Sequence, residues 1–262
     1  WVVVSTTGVA SMSETNGAGW FPLPQGLNCG VTSEMFRVIA TNGETFIATG
    51  DKGYAARSIN GGITWEPLTR GLGMGNIPGY ILALDANEDV WVAASGASDG
   101  LASRSTDNGD TWTDLPIALN CGVFDPYTEP PCLGIAHDGD TWIAVFVNGY
   151  ASRSLDNGVT WTALPRGLGN YNALWNSVAA KDGTWVVVGS AGYASRSTDN
   201  GDTWTALTKG LNCGSATTPF SSVAVSGSGP GAVWVAVSGS SPSAAYAAMS
   251  PNNGADWTAL PR

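Results

Sequence analysis

Residues 176–208 set out a pattern of apolar and polar positions that the rest of the chain repeats. NSVAA (Asn176 to Ala180) is a short β-prone stretch closed by a Lys-Asp-Gly turn. TWVVVG (Thr184 to Gly189) is an almost unbroken apolar run, as expected for a strand buried on both faces. Ser-Ala-Gly then turns the chain into YASRS (Tyr193 to Ser197). TDNGD supplies an Asn-Gly hairpin turn, whose glycine tolerates positive φ, and TWTAL is the fourth segment. The unit therefore predicts four short strands. A helical period appears nowhere at useful length.

The phrase S-x-D-x-G-x-T-W marks six such units: SETNGAGW, SINGGITW, STDNGDTW, SLDNGVTW, STDNGDTW and SPNNGADW, ending at Trp20, Trp65, Trp112, Trp161, Trp204 and Trp257. These tryptophans are 45, 47, 49, 43 and 53 residues apart, an interval that suits one four-stranded propeller blade per repeat. The expected fold is all-β: a six-bladed β-propeller of four-stranded antiparallel blades, forming one domain over residues 1–262. The blades fall at about 1–24, 31–70, 78–117, 131–166, 174–208 and 220–262. The first unit starts at WVVV, its second strand, so twenty-three strands are expected where twenty-four close a six-bladed ring. An inner strand before Trp1 or after Arg262 is expected to complete it, as part of a longer polypeptide. LNCG recurs at a spacing of 92 residues, after units one, three and five, whereas RGLG follows two and four. That double period supports six blades and an origin in paired blades.

The six phrases resemble Asp-box (BNR) repeats, known from sialidases and many other β-propellers. The resemblance covers nearly the whole chain. It implies a peripheral hairpin between the third and fourth strands, in which Asp107, Asp156 and Asp199 satisfy turn backbone and Trp65, Trp112, Trp161 and Trp204 pack beneath. Side-chain chemistry agrees, since Asp and Ser compete well for nearby N–H groups. Thr15, Asn60 and Asn252 replace the aspartate in the other copies. Each can still accept a hydrogen bond and none can do acid–base work, so the box reads as a folding device. Arg57, Arg104, Arg153 and Arg196 precede four boxes, with Met12 and Met249 in the terminal ones. A blade-edge ion pair, or a stem covering apolar surface, is favoured for them over a row of anion sites.

Composition narrows the function. Charged residues make up 12% of the chain, against 35 Gly and 12 Trp, which favours turn-rich β structure. The net charge of −10, with no basic cluster, argues against a nucleic-acid partner. No apolar run is long enough to span a bilayer, so membrane insertion is not expected. Cys121 and Cys132 close a short loop. They read equally as a local disulfide, implying an oxidising location, or as two of four buried thiols alongside Cys29 and Cys213. No cysteine pair has zinc spacing and His137 is the sole histidine, so no metal and no cofactor is expected.

Long blade-to-blade connections on a rigid scaffold are where binding usually lives. Tyr80, Tyr127, Tyr171 and Trp175 lie there with Asn76, Asn170 and Asn172, offering flat rings and amides suited to sugars. Burial between blades is the competing reading for those aromatics. Sialoside-hydrolysing relatives use three arginines, the first in an Arg-Ile-Pro phrase, together with a tyrosine, its activating carboxylate and an acid. Here FRVIA (Phe36 to Ala40) lacks the proline, and Arg70 and Arg166 sit at equivalent repeat positions. The loop acids Glu34, Asp125 and Glu129 form no defensible hydrolase pair. The expectation is a non-catalytic recognition or adhesion module that binds a surface glycan or other subunits of a larger assembly. A phage tail fibre or surface appendage, extracellular or on a virion, fits the acidity and the three lysines. The alternatives are a purely structural scaffold propeller and a degenerate sialidase-like hydrolase.

Overall fold

The computed structural model of the chain describes residues 1–5, 7–15, 17–29, 35–74, 80–97, 100–122, 130–170, 173–213, 217–239 and 246–261. Six antiparallel sheets follow one another along the sequence, the six blades of a β-propeller. Blade 1 has three strands, β1 (Val2–Val4), β2 (Ala10–Met12) and β3 (Phe21–Pro22). Blade 2 holds β4 (Phe36–Thr41), β5 (Phe46–Gly50), β6 (Ala55–Ser58) and β7 (Glu66–Pro67), and blade 3 holds β8 (Ile81–Asn87), β9 (Val90–Ser95), β10 (Ala102–Ser105) and β11 (Thr113–Asp114). Blade 4 is β12 (Cys132–Asp138), β13 (Thr141–Phe146), β14 (Ala151–Ser154) and β15 (Thr162–Ala163). Blade 5 is β16 (Trp175–Lys181), β17 (Thr184–Gly189), β18 (Ala194–Ser197) and β19 (Thr205–Ala206). Blade 6 is β20 (Ser222–Ser226), β21 (Val233–Val237), β22 (Ala247–Ser250) and β23 (Thr258–Ala259). Blades 1–3 belong to one compact unit and blades 4–6 to a second. The described residues contain no α-helix.

The second strand of each complete blade is the apolar run of the repeat; its neighbours bury nearly all of it in blades 2–5, whereas Val233 and Val237 at the ends of β21 are exposed. Every residue of β13 and β17 is buried. Its two faces serve two clusters: Val187 packs with Ala136, Ile143 and Val145 of blade 4, and Val186 with Val223, Trp234 and Ala236 of blade 6. Apolar area on both faces is therefore removed from water, the main favourable term in folding.

Burying a tryptophan in that strand creates a polar debt. The Nε1–H groups of Trp91, Trp142, Trp185 and Trp234 donate to the box asparagines Asn108, Asn157, Asn200 and Asn253 at 3.3, 2.9, 3.3 and 3.2 Å. Those asparagines hold left-handed backbone, φ 55–57°, which Asn tolerates better than most residues. The other end of the amide reaches the preceding blade of the same unit. Asn108, Asn200 and Asn253 donate through Nδ2 to Thr45, Thr141 and Thr184 at 2.7, 2.8 and 2.7 Å. Blade 2 departs from the rule consistently: Phe46 replaces the tryptophan, with no N–H to satisfy, and Gly61 stands where the asparagine would.

The 92-residue period also has a physical basis. Asn28, Asn120 and Asn212 of the LNCG phrases donate to the carbonyls of Trp65, Trp161 and Trp257 at 3.2, 3.1 and 3.0 Å. At the matching points of the RGLG phrases, Gly73 and Gly169 lie against the carbonyls of Trp112 and Trp204, where a Cβ would stand 2.9 and 3.3 Å away. Polar capping and close backbone approach thus alternate. The leucine of each phrase (Leu27, Leu72, Leu119, Leu168, Leu211) is fully buried with φ of 41–46°.

Two expectations change here. No disulfide joins Cys121 and Cys132: both are buried thiols, and Cys132 donates to the Gly134 carbonyl at 3.6 Å. Burial pushes the Cys132 thiol far up, and the nearby Cys121 pushes the same way. Trp175, a proposed ligand contact, opens β16 as a fully buried core residue in a cluster with Ala136, Val145 and Val187. Burial between blades is the reading that holds for it. Its indole N–H meets no acceptor among the described residues.

Gly189 pairs with Trp175 at the start of the β16–β17 ladder, and a Cβ there would collide with the Leu174 carbonyl oxygen. Gly183 has φ of +75° and open space around it. Gly189→Ala is expected to cost more than about 3 kcal/mol because backbone must shift, whereas Gly183→Ala costs about 1–2 kcal/mol of left-handed strain. Urea-unfolding midpoints of the two variants check the order.

Candidate functional site

The box side of the blades is structural, as the sequence led us to expect. In blade 3 the Ser105 hydroxyl donates to Asp107 Oδ1 at 2.7 Å and accepts the Gly109 N–H at 3.0 Å. Asp107 accepts the Thr111 N–H at 2.8 Å and the Thr111 hydroxyl at 2.5 Å, and Trp112 Nε1 donates to the Gly109 carbonyl at 3.0 Å. Blades 4 and 5 repeat the pattern around Asp156 and Asp199. Asn60 and Asn252 take the same turn contacts, each accepting at 2.9 Å from the residue four places on. Trp65 and Trp161 are buried under their turns; Trp112 and Trp204 are half-buried.

Those contacts hold the carboxylates ionised. Hydrogen bonds from Thr203 and Ser197 lower Asp199 from 3.8 to about 2. At Asp107 desolvation works upward, but bonds from Thr111 and Ser105 outweigh it and the carboxyl also falls to about 2. Asp156 is lowered in the same manner. Hydrogen bonds of this kind favour the charged form and keep the carboxylates ionised at neutral pH.

The box-side arginines form blade-edge ion pairs within each unit. Arg57 reaches Glu66 and Asp110, both at 2.8 Å, and Arg153 reaches Asp202 at 2.6 Å. Arg57, Arg153 and Arg196 also donate to the carbonyls of Asn108, Asn200 and Asn253. Ala255 stands where an acid would face Arg196, and burial lowers the pKa of that guanidinium.

The opposite side, made by the connections between second and third strands and from one blade to the next, is built differently. Arg70 lies over the Tyr54 ring at 4.9 Å, Arg166 over Tyr150 at 4.7 Å, and Lys209 over Tyr193 at 4.4 Å. Arg70 and Arg166 are fixed by Nε–H bonds to the carbonyls of Lys52 (2.5 Å) and Asn148 (2.9 Å). Among the described residues no carboxylate lies within ion-pair distance of Arg70, Arg166 or Lys209. Blade 2 adds a variant: Arg37 holds Asp51 at 2.8 and 3.3 Å and lies over Tyr80 at 5.0 Å. The hydrogen bond to Asp51 raises the pKa of Arg37.

Of the residues first proposed as sugar contacts, Tyr80 is on this side, half-buried, with Arg37 on its ring. Trp175 is core. Tyr127, Tyr171 and Asn172, like Asn76 and the acids Glu34, Asp125 and Glu129, lie outside the described residues. Asn170 is structural and donates to the Ala194 carbonyl and the Ser195 hydroxyl at 3.1 and 2.8 Å. Among the described residues no group of three His, Cys, Asp or Glu side chains is placed to hold a metal ion. The cation–tyrosine pairs were missed, although a constant spacing of 16 residues (54/70, 150/166, 193/209) carries them in the sequence.

No protein-family model and no curated sequence matches the chain. Solved structures do resemble it. A structure of YCF48 bound to D1 peptide matches with a TM-score of 0.67 at 14% identity, over 98% of this chain and 76% of that one. YCF48 from Cyanidioschyzon merolae matches with 0.67 at 14%, over 99% and 80%. A GH74 xyloglucanase from Xanthomonas campestris matches with 0.73 at 16%, over 99% of this chain but 43% of that chain, so the present chain spans less than half of it. At these identities the likeness concerns the fold alone.

Because the box aspartates are lowered in the folded state, the stability they contribute is present above their unfolded value near 3.8 and is lost as pH falls toward about 2. Urea midpoints measured from pH 5 down to pH 2 are expected to drop across that window. Asp199→Asn, which mimics the natural Asn60 and Asn252 boxes, is expected to fold and to show a shallower drop.

Proposed function

We propose that this chain is an Asp-box-type propeller acting as a non-catalytic recognition module within a larger assembly, and that its binding side is the loop side. One observation carries the reading. Box-side arginines of blades 2 and 4 are neutralised by acids, whereas among the described residues no carboxylate lies within ion-pair distance of Arg70, Arg166 or Lys209 on the loop side, on a chain of net charge −10. A cation stacked on a tyrosine keeps its charge and gains a fixed position, at little entropic cost on binding. Such spots suit carboxylates, and Arg166 and Lys209, in adjacent blades of one unit, suit those of an acidic peptide. The peptide bound to the YCF48 neighbour is a precedent on a related fold.

The non-catalytic part rests on the box carboxylates being spent on turns. The glycan reading loses two of its anchors, since Trp175 is core and the Tyr80 ring carries Arg37. The acidic, lysine-poor composition supports an extracellular or virion-surface setting for the assembly.

Peptide and glycan arrays probed with the chain test this. Acidic peptides are expected to bind, with affinity falling as salt rises. Arg166→Ala and Lys209→Ala are each expected to weaken binding roughly fivefold to tenfold, about 1 kcal/mol. Glycan hits without peptide hits, or affinity indifferent to both substitutions, would overturn the reading.

A further inference from the structure

In blades 2, 4 and 5 the following blade belongs to the same unit, and the third-strand arginine reaches that blade's box turn. Two places supply it with acids: the residue opposite in the fourth strand, and the residue after the next box glycine. Blade 2 fills both, with Glu66 and Asp110, and blade 4 fills one, with Thr162 and Asp202. Blade 5 fills neither, because Thr205 lies opposite Arg196 and Ala255 follows the glycine.

Arg196 keeps the backbone bond, its Nε–H donating to the Asn253 carbonyl at 2.8 Å. Among the described residues its two terminal nitrogens make no hydrogen bond, and no carboxylate lies within ion-pair distance of them. The neighbouring acids are engaged elsewhere. Asp202 holds Arg153 at 2.6 Å, Asp199 takes bonds from Ser197 and Thr203, and Asp256 accepts from Asn252 at 2.8 Å. A half-buried guanidinium without a counter-ion is an unfavourable arrangement. A cavity of about 250 Å³ opens beside it, bounded by Arg196, Thr198, Thr203, Thr205, Leu207 and Ala255. Thr203 gives its hydroxyl proton to Asp199, whereas the Thr198 and Thr205 hydroxyls make no hydrogen bond among the described residues.

We propose that this cavity is a second, smaller binding site, which takes one carboxylate against Arg196 in the role that Asp110 and Asp202 play for Arg57 and Arg153. Guanidinium and carboxylate match as two planar forks, so the terminal nitrogens of Arg196 receive both oxygens. The Thr198 and Thr205 hydroxyls are donors for the remaining lone pairs, and Leu207 gives the carbon stem an apolar wall. Asp199, Asp202 and Asp256 adjoin the lining residues in sequence, which disfavours a dianion such as phosphate. The carboxylate belongs to a small organic acid or to an acidic side chain of a partner, since both present the same group. The site is confined to blades 5 and 6 and does not depend on the loop-side reading.

The test follows the Arg196 Nε–H resonance as sodium acetate is added to the 262-residue chain at neutral pH and constant ionic strength. A saturating shift is expected, with a midpoint of about 1–10 mM. Ala255→Asp restores the acid of the other blades and is expected to weaken acetate binding by about tenfold or more. Arg196→Met, which copies Met12 and Met249 at the same repeat position, identifies the resonance and is expected to abolish the acetate response of the Thr198 and Thr205 amides. The peptide acetyl-Gly-Asp-Gly-amide separates the two sources. Tighter binding than acetate assigns the site to a partner's side chain, and weaker binding assigns it to a free acid. No saturable shift with either probe, an equal shift with chloride, or an acetate response that survives Ala255→Asp would overturn the proposal. Tighter binding of inorganic phosphate than of acetate would overturn it too.

Discussion

A side-chain amide links neighbouring blades at three junctions, two to three, four to five and five to six. A tryptophan buried in the second strand needs an acceptor, and burying its N–H without one would cost about 1–3 kcal/mol. The box asparagine supplies that acceptor and uses its own N–H₂ on a threonine of the preceding blade. This requires the asparagine in left-handed backbone at a fixed point of a tight turn, and hence the serine and aspartate that satisfy the turn's N–H groups. The box is therefore more than a peripheral hairpin. It aims one amide at two blades, and where Phe46 and Gly61 remove both ends of the demand, the structure has a cavity in place of the link.

The architecture was legible because it is periodic. The six boxes and the interval between tryptophans predicted six sheets, the first of three strands, and six sheets with twenty-three strands are present among the described residues. Replacement of Asp by Thr15, Asn60 and Asn252 pointed to turn chemistry, and Asn60 and Asn252 make the turn contacts that Asp107, Asp156 and Asp199 make. Features that need partners distant in sequence were not legible. Asn200 and Thr141 are 59 residues apart, so the Asn-Gly pair read only as a turn. Trp175 looked like a loop aromatic because it precedes a recognisable strand, yet it opens β16 and is fully buried. For Cys121 and Cys132 two readings of one spacing stood side by side, and burial as thiols is the one present.

The two sides of the repeat divide the charge between them. Within each unit the box side pairs arginines with acids across neighbouring blades, which contributes modestly to stability and removes charge from view. The loop side lays its cations on tyrosine rings, and among the described residues Arg70, Arg166 and Lys209 have no acid within ion-pair distance, whereas Arg37 holds Asp51. Repetition of a unit thus places ion pairs on one side of the blade and cation–tyrosine pairs on the other.

The measurement that tests the account most directly is a double-mutant cycle on Asn200 and Thr141. Asn200→Gly keeps the left-handed turn and Thr141→Val keeps the shape, so the cycle isolates the bond between blades 4 and 5. The account predicts a coupling of about 1 kcal/mol or more in unfolding free energy. Additive effects of the two substitutions would contradict it.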